Sequence, residues 1–153
     1  MTSERGLWKT TRTHLAPFGK LTRLESPIDP GLPDVLYVLR RRPTEWAITG
    51  LLELKELDRW PARAATPIRV PSLTREQVEW HRAWNLAGGR VFTLLQVGRD
   101  YLLLHPRVLW MVYERRLIRT HLSGMATLTW TAGAWPLAPL LDVLAGVRSY
   151  PDV

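Results

Sequence analysis

The sequence predicts an α/β domain, a small mixed sheet flanked by helices. Three observations lead there. Helical and extended segments follow in the order helix, strands, helix, strands, which suits a sandwich around one sheet. The extended segments are rich in β-branched and aromatic residues bounded by turn formers. The chain has 153 residues, the length of one ordinary domain, which buries roughly two thirds of the surface its unfolded form exposes and needs no covalent staples.

Each element has its own warrant. Leu7, Trp8, Thr11 and Leu15 fall near one face of a helix that Pro17 and Gly19 end. "KLTRLESP" reads as a short extended segment, and "SPIDPGLPD" as a turn-rich loop. "VLYVLR", Val35 to Arg40, is a strand, and "RRPTE" turns the chain into a second strand, Trp46 to Lys55, where Gly50 marks a bulge. Glu56 to Ser72 form a long loop carrying Arg59, Arg63 and Arg69, and loops of that length tend to be functional or disordered. "TREQ" is a capping box with Thr74 as N-cap and Gln77 at the third helical position. That helix runs to about Ala87 and stops at Gly88-Gly89. Gln77 shares a helical face with Trp80 and Trp84, which directs all three toward the sheet, the tryptophans into the core. Val91 to Val97 is a third strand, "GRD" a tight turn, and Tyr101 to His105 a fourth strand. One helix is expected from Pro106 to about Leu122. "GMATLTWTAGAW" fits strand, loop or interface, and "PLAPLLDVLAGV" a short apolar helix. The organisation is thus a domain over 1–120 and a C-terminal extension over 121–153, packed on the core or on a partner.

Composition narrows the function. The chain holds 21 Lys plus Arg against 14 Asp plus Glu, a net charge of +7. Guanidinium groups fork onto phosphate, and neutralising phosphates releases counterions, so nucleic acid is the leading partner. There is no cysteine, which excludes disulfides, zinc–cysteine sites and a thiol nucleophile and fits a reducing compartment. No apolar run approaches a membrane span and the basic N-terminus has no apolar segment behind it, so an intracellular, cytoplasmic protein is expected. No Ser-His-Asp, Walker or Rossmann pattern occurs. His14, His81, His105 and His121 lack metal-ligand spacing and read as polar surface or internally satisfied residues.

The chemistry concentrates in "LLELKEL", Leu51 to Leu57. On a strand, Glu53 and Lys55 project to one face and Leu52 and Leu54 to the other. Asp34 opens the strand before, and Glu25 lies nine residues earlier. Asp29 is a rival in the same loop, although "DP" reads better as a turn starter. If the strands are neighbours, Asp34 and Glu53 converge. Carboxylates crowded together raise each other's pKa unless a cation joins them. Mg²⁺ or Mn²⁺ suits such a site, taking oxygen ligands and a substrate phosphate. The Leu54 carbonyl is a further candidate ligand. Lys55 beside the ion is placed to orient an attacking water.

"PD" at Pro33-Asp34 followed by "ELK" at Glu53 to Lys55 resembles the PD-(D/E)XK nuclease superfamily. "GLPDVLY", "ELK", the Pro-rich basic loop, "LTREQ" and "GGRVFTLLQVGRDYLLL" look more narrowly like its VRR-NUC family, in the stand-alone form that phages or prophages encode. The resemblance covers about Trp8 to His105. It implies a restriction-endonuclease-like core, metal ligands at Glu25, Asp34 and Glu53, Lys55 as catalytic lysine, and Gln77 supporting the metal or its waters. It also implies a homodimer that cleaves branched DNA, Holliday junctions included. Lys20, Arg23, Arg59, Arg63 and Arg69 are the expected DNA contacts. Two alternatives stay open: a sequence-specific or flap endonuclease, and a basic DNA-binding module without catalysis.

Overall fold

The computed structural model describes residues 4–146; residues 1–3 and the end of the expected extension, 147–153, lie outside them. Among the described residues the strands are β1 (Gly19–Arg23), β2 (Val35–Leu39), β3 (Ile48–Leu57), β4 (Val91–Val97), β5 (Asp100–Leu104) and β6 (Leu128–Thr131). The helices are α1 (Glu4–Leu15), α2 (Arg75–Leu86), α3 (Pro106–Tyr113), α4 (Arg119–Met125) and α5 (Leu137–Ala145). The strands make one sheet in sequence order. Every neighbouring pair is antiparallel except β3 and β4. Those two are parallel because the chain crosses back through the loop and α2, as a parallel connection requires. The architecture is mixed α/β, with helices on both sides of a mixed sheet. None of the described helices is long and apolar enough to cross a membrane.

Strand alternation divides the core in two. Leu52 and Leu54 of β3 join Val35, Tyr37, Phe92 and Leu94 under α1 and α5. The opposite face carries Leu95, Val97, Leu102 and Leu104 under α2, α3 and α4, with Ile68 and Val70 from the loop. Glu53 and Lys55 project to this second face.

Local rules explain most boundaries. Thr74 caps α2 through a complete capping box with Gln77. The helix ends in a Schellman pattern: the Gly88 N–H donates to the Asn85 carbonyl at 3.0 Å and that of Gly89 to Trp84 at 2.8 Å, with Gly88 at φ 92°. His105 does not continue β5. It caps α3, its Nδ1 accepting from the Arg107 N–H at 3.1 Å, and Pro106 opens the helix.

Several expectations need correction. β3 starts at Ile48, leaving Trp46 93% exposed in the hairpin, and continues through Leu57. The single helix expected over Pro106–Leu122 is two. Arg115 turns left-handed at φ 55°, which lets Leu117 enter the core while its carbonyl accepts the Ile68 N–H at 2.8 Å. The ambiguous "GMATLTWTAGAW" supplies β6, whose Trp130 stacks on Tyr101. Trp80 and Trp84 are not core residues. The buried stripe of α2 is Val78 and His81, while Trp84 is 41% exposed and stacks on Trp80 at its flank.

Gly50 does not mark a bulge either, for the β2–β3 register runs through Tyr37 and Gly50 without interruption. The glycine makes room for the Tyr37 ring, which a Cβ at position 50 would overlap. Tyr37 cannot swing away cheaply, being buried with its hydroxyl donating to the Leu144 carbonyl at 2.8 Å. Gly50→Ala is therefore expected to cost about 1–3 kcal/mol as an overpacked core does, seen as a lower denaturant midpoint. An unchanged midpoint would refute this packing account.

Candidate active site

The β2–β3 register sets the site. Val35 pairs with Leu52, so Asp34, one residue earlier, stands across from Glu53 on the same face. The Asp34 carbonyl accepts the Leu24 N–H at 2.7 Å, tying β2 to β1. Its side chain serves β3, with Oδ2 accepting the Leu54 N–H at 2.8 Å. A strand residue points its N–H and C=O to the same neighbour. The Leu54 carbonyl therefore also faces the β2 side, where β2 has ended and Asp34 stands.

Glu53 is 1% exposed and Lys55 4% exposed. Three side chains converge on the Glu53 carboxylate. Gln77 Nε2 donates to Oε1 at 3.2 Å, Lys55 Nζ lies 3.6 Å from Oε1, and His81 Nε2 lies 3.6 Å from Oε2. Lys55 is held in turn by donating to the Ser72 carbonyl at 2.8 Å, so the loop ahead of α2 aims it. Gln77 makes two contacts at once: its Oε1 accepts the Thr74 N–H at 3.0 Å for the cap, and its Nε2 donates to Glu53.

Electrostatically, one buried ammonium, Lys55, faces two neighbouring carboxyl groups. Burial, with the neighbouring Asp34 charge second, pushes the Glu53 carboxyl up to about 9, and Lys55 only partly opposes this. Glu53 Oε2 is buried without a hydrogen bond, as is Oγ1 of Thr93, the β4 residue paired with Glu53. A buried carboxylate with a free oxygen, beside a second carboxylate, is what a hard divalent ion would relieve, and the oxygen donors fit Mg²⁺ or Mn²⁺. Asp34 and Glu53 would hold the ion.

The other expected residues lie on β1, in the loop that follows it and in the loop after β3. Glu25 is exposed, one position past the last backbone pair of β1 with β2, in which the Leu24 N–H donates to the Asp34 carbonyl. Asp29 is occupied elsewhere, accepting from Trp80 Nε1 at 3.1 Å and from the Gly31 N–H at 3.3 Å. Lys20 and Arg23 are both exposed but lie on opposite faces of β1. Lys20 pairs with Val38 on the Asp34 face, whereas Arg23 pairs with Val35 and reaches over Trp8 of α1. Arg59 and Arg69 flank a pocket of about 570 Å³ with Leu57, Trp60 and Pro67, past Lys55 at the end of β3. Arg63 is exposed on the same loop. Trp60 is tied in place, donating to Asp100 at 2.7 Å with Arg119 stacked 4.7 Å from its ring centre.

His81 is the site residue that sequence reasoning missed. It is fully buried, and burial, aided by Lys55, lowers its pKa to about 4, so the ring is neutral. The available signal was its spacing of four from Gln77, which puts both on one helical face. Compared with known proteins, the chain matches no family model and no curated protein.

Proposed function

We propose that this protein is a divalent-metal-dependent DNA endonuclease with a PD-(D/E)XK core of the VRR-NUC kind, acting on branched DNA. The observation that carries the reading is the pairing of Asp34 and Glu53 across β2 and β3 with Lys55 two residues on. The order Pro-Asp, Glu-x-Lys and then a helical glutamine thus corresponds to one contiguous group of side chains.

A bound Mg²⁺ or Mn²⁺ would activate water and stabilise charge on the phosphoryl oxygens. The chain does the rest. Asp34 is the half-buried, solvent-reachable member of the pair, while Glu53 is sealed beneath α2. Asp34 and Glu53 would hold the ion, with the Leu54 carbonyl turned to the same side. Lys55, fixed by Ser72, positions the attacking water next to the phosphorus. Water adds to phosphorus as the bond to the 3′ oxygen breaks; the water gives up a proton to solvent and the departing 3′ oxygen takes one from solvent, leaving the 5′-phosphate and 3′-hydroxyl ends that the resemblance implies. Lys20 on the catalytic face and the Arg59–Arg69 pocket extend positive charge from the site for the DNA backbone. A four-way junction needs two cuts, which two sites in a homodimer provide.

The test presents a synthetic four-way junction, a flap and a linear duplex of the same sequence to the protein with Mg²⁺ or Mn²⁺. Preferential, metal-dependent junction cleavage is expected, together with a dimer mass in solution. Cleavage of the flap or of one duplex sequence instead would change the substrate class. Binding without cleavage in any metal would leave a non-catalytic DNA-binding module. Raising salt should weaken DNA binding steeply, because each phosphate contact releases about one counterion.

A further inference from the structure

Resting on the metal-site reading above, we infer that His81 is a positioning residue for Glu53, donating from Nε2 to carboxylate Oε2 and so setting the ligand's orientation. Three independent facts meet here. Glu53 Oε2 is buried and has no hydrogen-bond partner, although Oε1 has Gln77. Both ring nitrogens of His81 are likewise buried without a hydrogen-bond partner, at a residue with no exposed surface. The nearest approach between these orphaned groups is 3.6 Å, just beyond hydrogen-bond range.

Leaving two such groups unsatisfied side by side is costly in a packed core, and an apolar residue would fill the space without that penalty. The arrangement makes sense if the contact closes in the working state, since catalytic hydrogen bonds are often long without ligand and tighten in the complex. Gln77 and His81, four apart on α2, would then grip one carboxylate oxygen each, leaving the ion the second lone pair of Oε2. Partners of this kind typically tune metal affinity by about 10- to 100-fold. Lys55 cannot substitute, because it lies on the Oε1 side and is committed to Ser72.

The experiment measures Mn²⁺ binding by calorimetry on the full chain and on His81→Gln, His81→Leu and His81→Phe, with melting of each metal-free protein. His81→Gln keeps a donor and is expected to bind Mn²⁺ within about threefold of native. His81→Leu and His81→Phe are expected to bind about 10- to 100-fold more weakly, yet to melt no lower than native without metal. The two apolar variants differ in volume, so failure of one to fold leaves the other decisive. Nitrogen chemical shifts of the native ring with Mg²⁺ bound should place the proton on Nε2. Native-like Mn²⁺ affinity in the apolar variants, equal losses in all three, or a proton on Nδ1 would overturn the assignment. A native chain that takes up no Mn²⁺ overturns it by a separate route, because the metal-site reading fails first.

Discussion

Glu53→Gln and Asp34→Asn should each abolish junction cleavage while leaving the fold and DNA binding intact. Each replacement keeps the shape of the side chain and removes one negative charge. Removing a single electrostatic contact to a developing charge costs about 10²–10³-fold in rate, and a lost cation ligand should cost at least as much. The two variants should differ in stability. Glu53→Gln replaces a buried carboxyl whose pKa is raised to about 9 by a neutral amide, so the metal-free protein should be as stable or more stable at neutral pH. Asp34→Asn weakens the acceptor of the Leu54 N–H, a contact of the charge-assisted kind worth about 1.5–3 kcal/mol. Cleavage rates on the junction and denaturant midpoints measure both effects. Variants that cut at the native rate would end the nuclease reading.

The second large effect is the pH dependence of stability without metal. Glu53 is raised from 4.5 to about 9 in the fold, so its contribution is complete below 4.5 and is lost as pH rises toward 9. His81 is lowered from 6.5 to about 4, so its contribution is complete above 6.5 and is lost as pH falls toward 4. Each group changes stability by about 1.4 kcal/mol per pH unit inside its window. Between 4.5 and 6.5 the two slopes oppose each other and nearly cancel. Above 6.5 only Glu53 acts, and a decline of a few kcal/mol is expected by pH 9. Mg²⁺ should flatten this alkaline limb by holding Glu53 ionised, and Glu53→Gln should lack the limb altogether. Thermal melts from pH 5 to 9, in chelator and in Mg²⁺, read these slopes. A native protein in chelator that melts no differently from Glu53→Gln across this range would refute the electrostatic description of the site.

Much of the fold was readable because its signals are local. The capping box at Thr74–Gln77, the Gly88-Gly89 stop and the Val91–Val97 strand depend on nearest neighbours in the chain, and all appear where the sequence places them. The misreadings have a common physical source. The break at Arg115, the role of Gly50 and the strand in the tail are each decided by a residue far along the chain: Ile68, Tyr37 and Asp100–Leu103 respectively. Helical periodicity also misassigned Trp80 and Trp84, because a stripe of large rings resembles a core face until its neighbours are known.

The same division holds for the site. By itself the sequence determined that Glu53 and Lys55 share a face, since strand alternation is built into the backbone. It also determined that Gln77 opens a helix and that the surface is basic. Only the tertiary structure decided that Asp34 stands across from Glu53, that Glu25 is exposed, that Lys20 and Arg23 part to opposite faces, and that His81 lies buried beside the carboxylate. Register and helix docking are set by distant parts of the chain packing together, and no local pattern carries that information.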